Sequence, residues 1–371
     1  MNQSALKTEM SGIKPFAGEP DIKRLVGALR GEKTDRVPHF EILIEDQHVE
    51  KLLCRKAGNT LGVGGDPAKG SAAGDGVRPM YPADYIELCR QIGQDAIALE
   101  CLWTPIKQRK PDGSVVLLND RSLKSRADLE RVVWPDDADV ERVLAYVREY
   151  VTAAKGTGVG VILCGGAIWQ TLYEFVIGLE DCMVLMIEEP EFLDELMSRS
   201  ADHYVAVVRG ALAAGIDIFY PADDFAFNKG MFVEPRRFER MWRPHYERFL
   251  APARSAGVPI WFHSDGRIDD AVEMLLAMGV DCISPMDTSG IDYRDYKKRY
   301  GHRVTLHGNI DITWPLVKGT PEDVRRDVKE HMDALKPGGR YIAGSSHSIV
   351  NYIPHENFLS MINAVHEYGQ Y

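Results

Sequence analysis

Eight times along this chain a short apolar run stops abruptly at polar or ionisable residues, and helical segments separate nearly all of these runs. The sharpest instance is VPIWFHSDG at 258–266, where an uninterrupted apolar stretch gives way to His263, Asp265 and Gly266. An apolar run without alternation reads as a strand buried on both faces, the habit of parallel sheets. Comparable runs lie near residues 37, 96, 160, 217, 259, 282, 304 and 341. Strands alternating with helices imply a parallel sheet. Eight such units favour an α/β fold closed as a (β/α)8 TIM barrel, here one domain over 1–371. A doubly wound open sheet is the alternative. It is weakened because the early strand-like units carry no glycine fingerprint of the dinucleotide type.

Local signals support the alternation. TPEDVRRDVKEHMDALKPGG (320–339) reads as a helix with Thr320 at the N-cap, Pro321 at the first helical position and Asp323 placed to reach back. Val324, Val328, Met332 and Leu335 repeat at helical spacing, and Gly338 and Gly339 end the segment. Residues 233–257, 268–278 and 138–156 also read as helical, while 104–118 reads as a hairpin turning at Asp112–Gly113. The Gly- and Ala-rich stretch 58–79 has no period. It is either a mobile surface loop or a lid over the barrel mouth.

Composition narrows the function. The formal net charge is −11 and no basic stripe is present, which argues against a nucleic-acid partner. Cys54, Cys89, Cys101, Cys164, Cys182 and Cys282 are scattered without CxxC spacing, as expected of reduced thiols in the cytoplasm. The segment MNQSALKTEMSG lacks the apolar centre of a secretory leader, and no apolar run approaches the ~20 residues needed to span a bilayer. A cytoplasmic location and no membrane association are therefore expected.

Catalysis in such a barrel sits at the C-terminal ends of the strands. Taken in order, those ends carry Glu41 and Glu45, Glu100, Asp223 and Asp224, His263 and Asp265, Asp287, His307 and Asn309, and His347. Each alone has a structural reading, as a turn residue, a cap or a satisfied core histidine. Together they support two chemistries. The first is a metal site on His263 and Asp265, with an acid such as Asp224 or Glu100 and a histidine from another strand. This is a mixed N/O set suited to zinc with an open position. The second is metal-free acid–base work by a tyrosine and histidines.

The stretches ALRGEKTDRVPHF, FHSDG, GVDCISP, VTLHGNIDITWPLVKGTPEDVRRDV and GRYIAGSSHSIVNYIPHENFLSMINAVHEYG resemble the uroporphyrinogen decarboxylase family. The resemblance implies a (β/α)8 barrel that is either a porphyrinogen decarboxylase or a corrinoid-linked methyltransferase, the latter often zinc-dependent. GGAIWQTLYEFVIG resembles the segment bearing the family's active-site tyrosine, here Tyr173, and GSSHS the segment bearing its histidine, here His347. The aromatic stretch IWQTLYEF, which contains Trp169, would either line an apolar substrate pocket or form a core helix. Departures matter as well. Where true decarboxylases carry arginines for the substrate carboxylates, this chain reads PHFEILIED, and acids there would repel a polycarboxylate. Many of the methyltransferases bind zinc through HxC, whereas this chain has HxD, a harder site matched to an oxygen-bound methyl group.

The expectation is a methyltransferase moving a methyl group from a small O-methyl compound to a corrinoid protein. His263, Asp265 and Asp224 would hold zinc. Tyr173, His347 and Glu100 would be catalytic, and His307, Asn309 and Trp169 would contact substrate. Decarboxylation of a tetrapyrrole is the alternative, followed by a non-catalytic corrinoid- or tetrapyrrole-binding protein. Relatives suggest a homodimer.

Overall fold

The computed structural model describes residues 19–61, 80–100 and 105–371. Strands Ala96–Glu100, Gly160–Cys164 and Ile218–Tyr220 form one parallel ladder. Trp261–His263, Cys282–Ser284, Thr305–His307 and Tyr341–Ile342 form another. Single parallel bridges join them: Phe219 to Ile260 and Ala222 to His263 on one side, and His39 to both Gln94 and Ala343 on the other. The segment at His39 thus takes the first position of a TIM-barrel ring, which is completed by isolated bridges and not by one unbroken ladder. This first position is not a regular strand as the sequence suggested. Pro38 has no N–H to give to a ladder, and its carbonyl instead accepts from Ala343 at 2.9 Å.

Alternation along each strand separates two cores. Ala96, Ala98, Ile162, Cys164, Ile218, Tyr220, Trp261, Cys282 and Ile342 point inward and pack with Phe40. Their neighbours Ile97, Leu99, Val161, Leu163, Phe219, Phe262, Ile283 and Leu306 point outward against the helices. Burial on both faces is why the strands read as unbroken apolar runs. Helix Ile22–Arg30 gives Leu25, Ala28 and Leu29 to the inner core and so stoppers the N-terminal end of the ring. Thr305 Oγ1 donates to the Ala28 carbonyl at 2.7 Å, fastening this helix across the opening.

The helical reading holds where capping chemistry was explicit. Helix Pro321–Leu335 starts at a Thr320–Asp323 capping box, with Val324, Val328, Met332 and Leu335 buried. Helices Asp137–Ala154 and Pro235–Ala256 match their expected spans, whereas 268–278 shortens to Val272–Ala277. Lys107–Arg109 and Val115–Leu117 form the expected hairpin, and Val132–Val133 adds a third strand. Of the Gly- and Ala-rich stretch, residues 62–79 lie outside the described residues. At its start Thr60 is buried and accepts from the Ile44 N–H at 2.8 Å. Among the described residues, no helix is long and apolar enough to cross a membrane.

Candidate metal centre at the barrel mouth

His263 ends its strand on the same face as Trp261, so alternation turns its ring into the barrel. Two residues on, the chain swings back at Gly266, whose φ is +85° and where a Cβ would stand 2.5 Å from the Ala226 carbonyl. Only glycine fits such a turn. The swing brings Asp265 over the strand end. Asp224, beyond strand Ile218–Tyr220, accepts the Asp265 N–H at 2.8 Å. His263 Nε2 then lies 3.9 Å from Asp224 Oδ1 and 3.8 Å from Asp265 Oδ1. One ligand atom from each of the three residues falls within 4.8 Å of the others. His347 Nε2 stands 3.6 Å from Asp265 Oδ2.

The electrostatics of this cluster are unbalanced. Burial, and then the nearby Asp265 charge, push the Asp224 carboxyl well above its usual range. Burial lowers the His263 pKa and so favours its neutral form. Among the described residues, no lysine or arginine pairs with Asp224 or Asp265. Two carboxylates and an imidazole lone pair converging without a fixed cation suit a divalent metal with N/O ligands. The sequence-based grouping of His263, Asp265 and Asp224, with His347 beside it, is thus assembled in space.

A second wall comes from residues 168–176. Asp223 is fully buried and accepts from the backbone N–H groups of Ile168, Trp169 and Gln170, from Trp242 Nε1 at 3.0 Å and from Tyr246 Oη at 2.7 Å. It anchors the turn that launches the π-helical segment Thr171–Val176. Gln170, which sequence reasoning did not single out, approaches Asp224 Oδ2 at 3.3 Å and Glu174 at 2.7 Å. Trp169 is fully buried beneath Tyr173, with ring centroids 5.7 Å apart, so it supports the wall and does not face the mouth. Tyr173 is half-buried and packs edge-on against Phe232. Burial, reinforced by the charges of Asp224 and Asp223, raises its phenol far above the ordinary range, so it remains a donor.

Two expected residues lie elsewhere. His307 is only 4% exposed, inside the barrel below the cluster, and burial pushes its pKa down to about 3. Asn309 donates to the Met286 carbonyl at 2.6 Å and meets His331 Nε2 at 3.1 Å, so its amide joins a strand end to helix Pro321–Leu335 and not to a substrate. Both fail as mouth residues for one reason: a polar residue at a strand end can point below or behind the opening. Glu100 ends its own strand opposite Cys164 on the inward register of Ala96 and Ala98, with two strands between it and His263. Missed altogether were Tyr220 and Ser284, hidden inside apolar runs. Tyr220 Oη lies 3.0 Å from His263 Nδ1 and 2.9 Å from Ser284 Oγ, which is 2.8 Å from His307 Nδ1. Their signal was a hydroxyl at an inward position of a buried strand.

Comparison with known proteins identifies the family and a structure of the same fold. A family model described as uroporphyrinogen decarboxylase (URO-D) matches residues 107–368. The uroporphyrinogen decarboxylase of Alkalilimnicola ehrlichii is 25% identical over 358 residues, covering 93% of this chain and 93% of that protein. That of Methylococcus capsulatus is 26% identical over 258 residues, covering 67% of this chain and 70% of its own length. A methyltransferase from Methanosarcina mazei shares the fold, with a TM-score of 0.64 and 19% identity across 94% of this chain and 99% of that one.

Proposed function

This chain belongs to the uroporphyrinogen decarboxylase family of enzymes, and we propose that within it the protein is a methyltransferase. The substrate is a small O-methyl compound and the acceptor a corrinoid carried by a partner protein. The observation that carries this reading is the meeting of Asp224, His263 and Asp265 at the mouth. A decarboxylase acting on a polycarboxylate needs cationic side chains where the substrate's acids dock. Here the segment PHFEILIED carries no arginine, and Glu41 within it is buried and accepts from the Ser345 N–H at 2.9 Å.

In this reading Asp224, His263 and Asp265 hold a divalent metal, zinc being the natural candidate, with His347 as a further ligand or general acid. Such a metal supplies Lewis acidity to the ether or alcohol oxygen. The chain's own groups do the rest. Tyr173, kept protonated, orients the substrate oxygen by donating to it. The aromatic faces of Tyr173 and Phe232 give its apolar part a wall and exclude water. As the C–O bond breaks its electron pair stays on oxygen, the methyl group would pass to the cobalt of the partner's reduced corrinoid, which supplies the new bond's electron pair, and a proton from His347 completes the demethylated product.

Tetrapyrrole decarboxylation by Tyr173 and His347 without metal is the competing reading, favoured by the names of the relatives. Metal analysis of protein purified without chelator, paired with methylation of cob(I)alamin from methoxylated donors, separates the two. Stoichiometric metal and chelator-sensitive methyl transfer are expected. No bound metal, together with release of carbon dioxide from a porphyrinogen, would reverse the assignment.

A further inference from the structure

We propose that Tyr220, Ser284 and His307 form a one-directional hydrogen-bond relay that fixes the tautomer of His263, leaving its Nε2 lone pair aimed at Asp224 and Asp265. The direction follows from the far end. His307 Nε2 lies 3.1 Å from the Phe40 carbonyl, which can only accept, so this nitrogen carries the proton. His307 is buried between the rings of Trp261 and Phe40, with no carboxylate bonded to it, and an imidazolium there would be an uncompensated buried charge. The ring is therefore neutral with a single proton, and its Nδ1 accepts from the Ser284 hydroxyl at 2.8 Å.

Each hydroxyl has one proton to give. Ser284 has given its proton to His307, so its oxygen accepts from Tyr220 Oη–H at 2.9 Å. Tyr220 has then given its own and accepts from His263 Nδ1–H at 3.0 Å. A neutral His263 with its proton on Nδ1 has a bare Nε2, the atom 3.9 and 3.8 Å from the two carboxylate oxygens. A ligating histidine usually donates its second nitrogen to a carboxylate, carbonyl or water. Here the same task is done through three side chains that end on a backbone carbonyl. Tyr220, Ser284 and His307 are positioning residues. Their value to a metal rests on the metal-centre reading above, whereas the tautomer itself does not.

The test is made first without metal. Long-range proton–nitrogen correlation on 15N-labelled, metal-free protein at about pH 8, above the usual imidazole range, reads both tautomers. The relay requires His263 protonated at Nδ1 and His307 at Nε2. Tyr220→Phe should shift His263 toward the Nε2-protonated form and weaken Zn2+ binding by roughly ten- to a hundredfold with all ligands intact. Ser284→Ala, which breaks the chain one link further back, should do the same to a smaller degree. A wild-type His263 protonated at Nε2 overturns the proposal without any variant, and so does a tautomer that ignores both substitutions. Wild-type protein that shows the expected tautomers yet binds no Zn2+ supports the relay and sinks the metal reading instead.

Discussion

The two ends of the barrel treat buried charge in opposite ways. At the N-terminal end Asp95 is fully buried, but Arg24 meets it at 2.5 Å and Arg36 at 4.0 Å, and helix Ile22–Arg30 seals the opening. At the C-terminal end Asp224 and Asp265 crowd His263 and His347, with no arginine or lysine paired to those two acids among the described residues. The first arrangement closes on itself and serves stability. The second is left with an excess of donor atoms, which is what a site for an external cation requires. Charge balance therefore distinguishes the structural end from the functional end.

This contrast can be broken most forcefully at the closed end. Arg24→Met strips the nearest cation from Asp95 and should lower the unfolding free energy by about 3 kcal/mol in urea titrations. A loss below ~1 kcal/mol would mean that Arg36 alone balances the acid. At the open end the largest effect should come from adding charge. Zn2+ at about a hundred times its dissociation constant should stabilise the protein by roughly 2.7 kcal/mol in thermal melts. Asp224→Asn should abolish that gain while leaving the metal-free fold intact.

Acid should act with opposite sign on the two halves. Burial holds the His307 pKa near about 3, below its unfolded value, so the unfolded chain binds more protons across that window and stability rises with pH until His307's unfolded range is passed. Burial outweighs the attraction of Arg24 and raises Asp95 to about 6, so between its unfolded range and that value the folded state binds more protons and stability falls as pH rises. Each slope is at most about 1.4 kcal/mol per pH unit. His307→Gln should erase the first and Asp95→Asn the second in denaturation curves taken across that range. The smallest expected effect is at the mouth itself. Asp265→Asn relieves carboxylate repulsion and should stabilise the metal-free protein by about 0.5 kcal/mol. Destabilisation there would show that the acids are already compensated.

Much of the fold is legible in the order of the residues alone. Unbroken apolar runs locate the strands because both faces of a barrel strand are buried. Thr320, Pro321 and Asp323 mark a helix start because capping is local chemistry. The turn at Gly113 follows from its backbone freedom, with φ at +86°. His263 and Asp265 are recognisable as a pair because they flank a strand end. All of these signals act over a few residues.

What the fold alone decided depends on distance and direction. Asp223 and Asp224 are adjacent and chemically identical, yet one anchors the 168–170 turn from inside the core and the other joins His263 and Asp265 at the mouth. His307 and His263 share a strand-end position in sequence, but one lies sealed beneath the other. Asn309 was drawn behind the ring by His331. Alternation reports on which side of a strand a residue lies, whereas its neighbours are set by register between strands dozens of residues apart. Past the last strand residue even alternation stops, and each loop's own backbone angles choose where a side chain points. The sequence by itself therefore determined the barrel and the kinds of group at its mouth; tertiary structure decided which of them meet.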